Sequence, residues 1–297
     1  MSMKLLVTGA SGQLGRLILD ELLTTREVAP SSIIAVSRDP AKLADYAKQG
    51  VVTRRGDFDD PASLDAACAG ADRALIISTD ALGVPGKRLK QHEAAVAAAK
   101  KASVERILYT SMPSPENSAI TFAPDHLGTE QAIHATGIPH TILRNGWYME
   151  NLFMSLPQAL SSGQWYTATG QGKIAHAARA DIATAIASAL ASDANGNFTY
   201  TLTGVKALTT DEIAALVRAA TGKPLQVVHV NDEQLAAGMK AAGVPDFLVP
   251  TLASFDANTR LGHIAMVTDD IEKLSGRKPT SLETFLAGTD TRQALAA

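Results

Sequence analysis

Residues 5–22 read Leu-Leu-Val-Thr-Gly-Ala-Ser-Gly-Gln-Leu-Gly-Arg-Leu-Ile-Leu-Asp-Glu-Leu. The apolar run Leu5 to Thr8 predicts a buried strand, which passes directly into Gly9-Ala10-Ser11-Gly12-Gln13-Leu14-Gly15. A helix begins inside that motif, because Leu14, Leu17, Ile18 and Leu22 recur at helical spacing and form one apolar stripe. Strand, glycine turn and helix in this order make a binding site for a pyrophosphate. The first glycine allows the tight turn, the second lets the phosphates approach the backbone, and the third lets helix pack on strand. The helix start then offers unpaired N–H groups and partial positive charge to the anion.

Working outward, apolar runs alternate with helical patterns: Leu5 to Thr8, Ile33 to Ser37, Val51 to Arg54, Ala74 to Ser78, Ile107 to Ser111 and His140 to Arg144. Five helical segments lie between them. This is the pattern of an α/β fold with a doubly wound, parallel Rossmann sheet covered on both faces. The second helix is expected to open at Asp39-Pro40, a cap followed by proline, and to stop at Gly50. Past residue 150 the alternation fades into helices and two strand-like runs, Phe198 to Thr203 and Leu225 to Val230. The expected division is a dinucleotide-binding domain over 1–150 and a smaller α+β C-terminal lobe over 151–297, with some elements free to return to the first domain. Thr209-x-x-Glu212 and Thr280-x-x-Glu283 are expected to start helices in that lobe as capping boxes.

The residue ending the second strand chooses the dinucleotide. An acid there would bond the ribose hydroxyls and repel a 2′-phosphate, whereas this chain has Ser37-Arg38. Arg38 suits a phosphate through paired charge-assisted bonds, so NADPH is expected in preference to NADH. Asp57 and Phe58 follow the third strand, at the place where related folds contact adenine; a loop acid beside a packing aromatic is the plain alternative.

Ketone and sugar reductases on this kind of fold use Tyr-x-x-x-Lys to protonate the oxygen that receives charge. Here Tyr46, Tyr109, Tyr148, Tyr166 and Tyr200 are followed four residues later by Gly50, Pro113, Leu152, Gly170 and Gly204. At the expected place the chain has His126 and Glu130 instead. An acceptor that needs little protonation is therefore expected. Hydride addition to a quinone yields a phenolate with a pKa of about 10, against about 15.7 for water-like alkoxides. At about 1.4 kcal/mol per pH unit, that gap spares the protein several kcal/mol of charge stabilisation.

Thr8 to Gly15, His126-x-x-x-Glu130 and Leu143-Arg144-Asn145-Gly146-Trp147-Tyr148 together resemble the NmrA-like atypical short-chain dehydrogenases/reductases, on the branch of the bacterial NAD(P)H:quinone oxidoreductases and triphenylmethane reductases. The resemblance runs from residue 4 to about 290. It implies an enzyme that reduces quinones or similarly activated flat acceptors, such as dyes, with NADPH by direct hydride transfer. It also implies that Gly9, Ala10, Ser11, Gly12, Gln13, Leu14, Arg38, Ser78, Thr79, Asn145, Gly146, Trp147 and Tyr148 line the cofactor site, with Arg179 nearby. Trp147 and Tyr148 are expected to wall the nicotinamide and stack on a flat substrate; plain aromatic packing is their alternative. His126 and Tyr148 are the candidate catalytic side chains, with His126 read alternatively as a neutral partner of Glu130. The second functional reading is a non-enzymatic NADP(H)-binding redox sensor, which the missing Tyr-Lys pair suits equally well.

Composition narrows the partners to small molecules. Net charge is −3 with scattered basic residues, so no nucleic-acid footprint exists. No apolar run approaches the roughly 20 residues that span a bilayer, and no membrane association is expected. A single cysteine, Cys68, excludes an intrachain disulfide, and the reading is cytoplasmic. No histidine spacing suggests a metal. No apolar patch fixes an oligomeric state, and a homodimer is compatible with the sequence.

Overall fold

All three residues of strand β1 (Leu5–Val7) are buried, as a strand covered on both faces must be. In the computed structural model, which describes residues 3–296, it is joined by β2 (Ile33–Ser37), β3 (Val52–Arg55), β4 (Arg73–Ile76), β5 (Arg106–Ser111) and β6 (His140–Asn145). The strand Phe198–Leu202 completes a seven-stranded sheet in the order β3-β2-β1-β4-β5-β6-(Phe198–Leu202). The neighbouring pairs from β3 through β6 are parallel, with Leu6 opposite Ile34 on one side and Ala74 on the other. Strand order reverses between β1 and β4, so a switch point opens at their carboxyl ends, where open α/β sheets bind ligands.

The five expected helical segments lie between these strands: α1 (Gln13–Thr24), α2 (Ala44–Lys48), α3 (Pro61–Cys68), α4 (Lys87–Lys101) and α5 (Ala123–His134). In α1 the buried stripe is Leu14, Gly15, Ile18, Leu19 and Leu22; Leu19 takes the inward place expected of Leu17, which is only half-buried. Asp39 caps as expected, accepting from the Ala41 amide, but the turn it opens is a 3-10 helix (Pro40–Leu43) that leads into α2. The core behind the sheet gathers Leu6, Ile34, Leu64, Ile76, Ile107 and Tyr109, and holds the Cys68 thiol, whose pKa burial pushes up to about 11.

The chain forms two compact units that are not consecutive in sequence. The first comprises 1–112, 124–144 and 182–200; the second comprises 113–123, 145–181 and 201–297. Segment 182–200 belongs with the sheet rather than with the later residues, and two buried arginines hold it there. Arg73 donates to the Leu190 carbonyl at 2.9 Å, and Arg106 donates to the Ala194 and Gly196 carbonyls at 2.7 and 2.9 Å.

The second unit has its own core of Met149, Leu156, Ile213, Val217, Leu282 and Leu286. Its helix Thr210–Thr221 starts on the complete capping box of Thr209 and Glu212. The other expected box is displaced by one residue: Ser281, not Thr280, caps Leu282–Ala287, because the Thr280 amide is already taken by Asp181 Oδ2 at 2.7 Å. A further capping box, Asn231 with Gln234, starts the helix Asp232–Ala241. Two two-stranded ladders complete the unit: Gln164–Thr167 with Gln226–His229, and Lys173–Ile174 with Leu208–Thr209. Among the described residues no helix is long and apolar enough to cross a membrane.

Candidate functional site

The first half of the site is the carboxyl edge of the sheet at the switch point. Gly9 turns the chain at φ +59°, in the left-handed region that a side chain would strain. A Cβ on Gly15 would come within 2.4 Å of the Gly9 carbonyl and 2.7 Å of Ala10 Cα, so the third glycine is required for helix to meet loop. Gly12 differs from both. It is exposed, its φ of −77° suits any residue, and an added Cβ would meet only the Gly9 carbonyl, at 3.2 Å.

Gly12 is the N-cap of α1, where no side chain caps the helix and the first turn carries no acid. The leading amides of α1 are therefore left for an outside acceptor. Ser11 Oγ lies 2.9 Å from Ser37 Oγ, tying the glycine loop to the end of β2. Arg38 follows immediately and is exposed, with no hydrogen bond or ion pair among the described residues. A glycine-lined helix start and an unpaired guanidinium form the acceptor set that a pyrophosphate and a ribose phosphate need. The residues present fit NADPH.

Asp57 and Phe58 sit where expected, after β3. Asp57 organises its own loop, accepting from the Asp59 amide at 3.0 Å, while Phe58 leans on the core and lines a cavity of about 390 Å³. Asp59, Val84, Lys87 and Gln91 line the same cavity. Hydrogen bonding lowers the Asp59 pKa, first from Lys87 and then from Gln91.

Thr79, after β4, is held on three sides by α4. Its amide donates to His92 Nε2 at 2.9 Å, its hydroxyl to Gln91 Oε1 at 2.8 Å, and its carbonyl accepts from Arg88 Nε at 2.7 Å. Ser78 is fixed by its amide on Thr110 Oγ1 at 2.9 Å. Arg88, Gln91 and His92 carry no motif and were not expected here; α4 brings them together only once it packs beside β4.

His126 is not an open catalytic group. It is 3% exposed, with Nε2 at 2.9 Å from Arg88 Nη2 and Nδ1 at 2.8 Å from the Tyr109 hydroxyl. The arginine can only donate, so Nε2 accepts and the ring is neutral; burial, then the Arg88 charge, holds its pKa well below the usual value. The expected pairing with Glu130 is absent. Glu130 instead accepts from Ser111 Oγ at 2.5 Å and forms a fork with Arg144, Nε to Oε1 at 3.0 Å and Nη2 to Oε2 at 2.7 Å. The place of a catalytic lysine is thus occupied by a buried carboxylate already satisfied by a strand arginine.

The Asn-Gly-Trp-Tyr segment is organised within the second unit. Asn145, the last residue of β6, donates from Nδ2 to the Tyr148 hydroxyl at 3.2 Å, while its buried Oδ1 has no partner. Gly146 has a packing role, its amide 2.8 Å from the Leu202 carbonyl and any Cβ within 2.7 Å of that oxygen. The Arg179 guanidinium lies 4.8 Å over the Tyr148 ring, and its amide is held by both Glu150 oxygens at 3.1 Å, so Arg179 opens its helix and braces the tyrosine. Burial raises the Tyr148 pKa, more than the hydrogen bond from Asn145 lowers it, so the phenol keeps its proton. Trp147 packs against Phe255, with ring centroids 4.2 Å apart.

The glycine loop Thr8 to Gly15, the His126 and Glu130 positions on α5 and the Leu143 to Tyr148 run are the features that carry the sequence resemblance. The NmrA-like family model matches residues 1–286. The chain belongs to the NmrA-like family. It is 37% identical over 276 residues to quinone oxidoreductase 2 of Escherichia coli, covering 93% of this chain and 95% of that protein. An NAD(P)H azoreductase of Xenophilus azovorans is 27% identical over 282 residues, covering 95% and 96%. The solved structure of the E. coli NADPH-dependent quinone oxidoreductase with NADPH superposes with a TM-score of 0.90 at 36% identity, covering 95% of this chain and 98% of that one. The Citrobacter triphenylmethane reductase with NADP(H) gives 0.87 at 34%, covering 97% and 99%.

Proposed function

We propose that this NmrA-like protein is an NADPH-dependent reductase that delivers two electrons as hydride to a quinone or a similarly activated flat acceptor. The observation that carries the reading is the uncapped glycine start of α1 with the unpaired Arg38 at the adjacent strand end, in a chain whose relay position holds a satisfied Glu130. The bound nicotinamide supplies the hydride. The amides of Gln13 and Leu14 and the Ser11 hydroxyl would hold the pyrophosphate, and Arg38 would take the 2′-phosphate. Ser78, Thr79, Asp57 and Phe58 border the adenosine part. Asn145 Oδ1, buried without a partner, would accept from a nicotinamide amide, and the Tyr148 hydroxyl, which keeps its proton, would donate to an acceptor oxygen. His126 acts at a distance, through the Arg88 that holds the Thr79 carbonyl.

The test is steady-state oxidation of NADPH on addition of a benzoquinone, with NADH measured alongside. Acceptor-dependent oxidation is expected, and its absence with saturating NADPH would leave the redox-sensor reading in its place. Removing the Arg38 guanidinium deletes a charge-assisted contact worth about 1.5–3 kcal/mol. Arg38→Ala is therefore expected to weaken NADPH binding by roughly 10- to 100-fold while leaving NADH within about twofold. Equal losses for the two nucleotides would remove Arg38 from the phosphate site.

A further inference from the structure

Three half-buried aromatic rings from three separate segments meet in the second unit. Phe255, on the helix Val249–Arg260, is the central ring: Trp147 lies 4.2 Å from it, tilted by 51°, and Phe122 lies 6.0 Å away in an edge contact at 70°. The segment that carries Phe122 is fastened to the same helix by side chains. Asn258 Oδ1 accepts from the Ser118 hydroxyl and the Ala119 amide, each at 2.9 Å, and Thr121 Oγ1 lies 2.9 Å from Thr251 Oγ1. Asn258 is 0% exposed, so its side of these bonds is shielded from water, and together with the buried Ile120 they fasten the segment at several points.

A core would bury such rings completely, and a solvated loop would not be tied down at this many points. Partly open aromatic faces on a rigid frame are instead what recognition of a flat molecule requires, because stacking is lost if the rings must first be ordered. An electron-poor quinone or dye is the matching partner for a phenyl ring flanked by an electron-rich indole on one side and a second phenyl ring on the other.

We propose that Phe122, Phe255 and Trp147 form the platform that selects flat aromatic acceptors, and that Asn258 is a positioning residue that holds the Phe122 segment in place. The inference rests on the reductase reading and names the residues that give it substrate preference. A platform of this kind discriminates by ring area: a two-ring acceptor gains more from it than a one-ring acceptor.

The experiment uses the full chain carrying Trp165→Phe, which leaves Trp147 as the only tryptophan, since the chain has two. The protein is loaded with NADP+ so that no turnover occurs, and a naphthoquinone is titrated while Trp fluorescence is followed. Saturable quenching is expected. Phe255→Ala is expected to weaken naphthoquinone binding about tenfold, equivalent to one aromatic contact, with Phe255→Tyr close to the parent and Phe255→Leu intermediate. In turnover with NADPH, Phe255→Ala is expected to raise KM for the naphthoquinone more than for benzoquinone and more than it lowers kcat. Asn258→Leu is expected to act in the same direction. An unchanged NADPH Kd in each variant certifies the fold. Naphthoquinone affinity unaffected by both Phe255→Ala and Phe122→Ala would overturn the platform even if quinone turnover is found. Saturable, Phe255-dependent quenching without turnover would support the platform and defeat the reductase reading.

Discussion

Gly12→Val is expected to raise the Kd for NADPH at least about 100-fold, roughly 2.8 kcal/mol, while the melting temperature stays within a few degrees of the parent. The backbone at Gly12 is in a region any residue adopts, and the added Cβ presses only on the Gly9 carbonyl at 3.2 Å, which a shift of a few tenths of an ångström relieves. The remaining atoms of valine would stand in front of the first-turn amides of α1 and exclude an anion from them. Gly15→Ala provides the contrast. There the Cβ would lie 2.4 Å from one backbone oxygen and 2.7 Å from a backbone carbon, so the cost falls on folding itself. Isothermal titration with NADPH and thermal unfolding of both variants check the pair of outcomes. Tight NADPH binding by folded Gly12→Val protein would show that the cofactor does not use this loop.

The second large effect is on stability as a function of pH. Four histidines are buried: His92 at 0%, His126 at 3%, His176 at 6% and His140 at 7% exposure, and burial lowers the pKa of His140 as well. Burial, reinforced by the Arg88 charge, pushes the His92 pKa down to about 3; burial alone pushes His176 down to about 4; His126 is held well below its usual range. In the unfolded chain each titrates near pH 6.5. Below that pH the unfolded state takes up protons that the folded state refuses, so this part of the stability is fully present above about pH 6.5 and is lost as the pH falls. Each histidine can contribute up to about 1.4 kcal/mol per pH unit, so several kcal/mol should disappear between about pH 7 and pH 5. Asp125 and Asp256, whose pKa values burial raises, work in the opposite sense nearer pH 4, which confines the clean window to pH above about 5. Urea unfolding at several pH values measures the slope. His176→Leu, which also removes a buried Nδ1 without a partner, is expected to flatten it. Stability independent of pH across that window would mean that the histidines are solvated or charged in the folded protein.

The parts of the fold that were legible in the sequence are those decided by local chemistry. The passage from Val7 through Gly15 to Leu22 carries its own strand period, turn glycines and helix stripe, and its contacts close within a few residues or against the next strand. Thr209 and Glu212 satisfy each other three residues apart, so their cap needed no tertiary information. Thr280 and Glu283 have the same spacing, but Asp181, a distant residue, claims the Thr280 amide and moves the cap to Ser281. The return of 182–200 to the sheet likewise depends on distant arginines, although Ile182 to Leu190 are buried without interruption and carry no charge, as an internal helix does.

The candidate site divides in the same way. Arg38 follows a strand end and was legible; so were the three glycines. His126 and Glu130 share a helix face by spacing, yet α5 packs so that one meets Tyr109 and Arg88 while the other meets Ser111 and Arg144. No local pattern distinguishes those partners. Phe122, Trp147 and Phe255 come from three segments with no shared period, and only the folded second unit brings them together.

The central claim is that hydride passes directly from NADPH held at the α1 start to a flat acceptor, without a dedicated Tyr-Lys relay. An anaerobic single turnover tests it most directly: protein loaded with one equivalent of NADPH is mixed with benzoquinone, and nucleotide, hydroquinone and radical are followed together. One hydroquinone should form per NADPH consumed, at the same rate, with no semiquinone signal. A semiquinone that builds up before hydroquinone, or NADPH that persists beside excess quinone, would contradict the account.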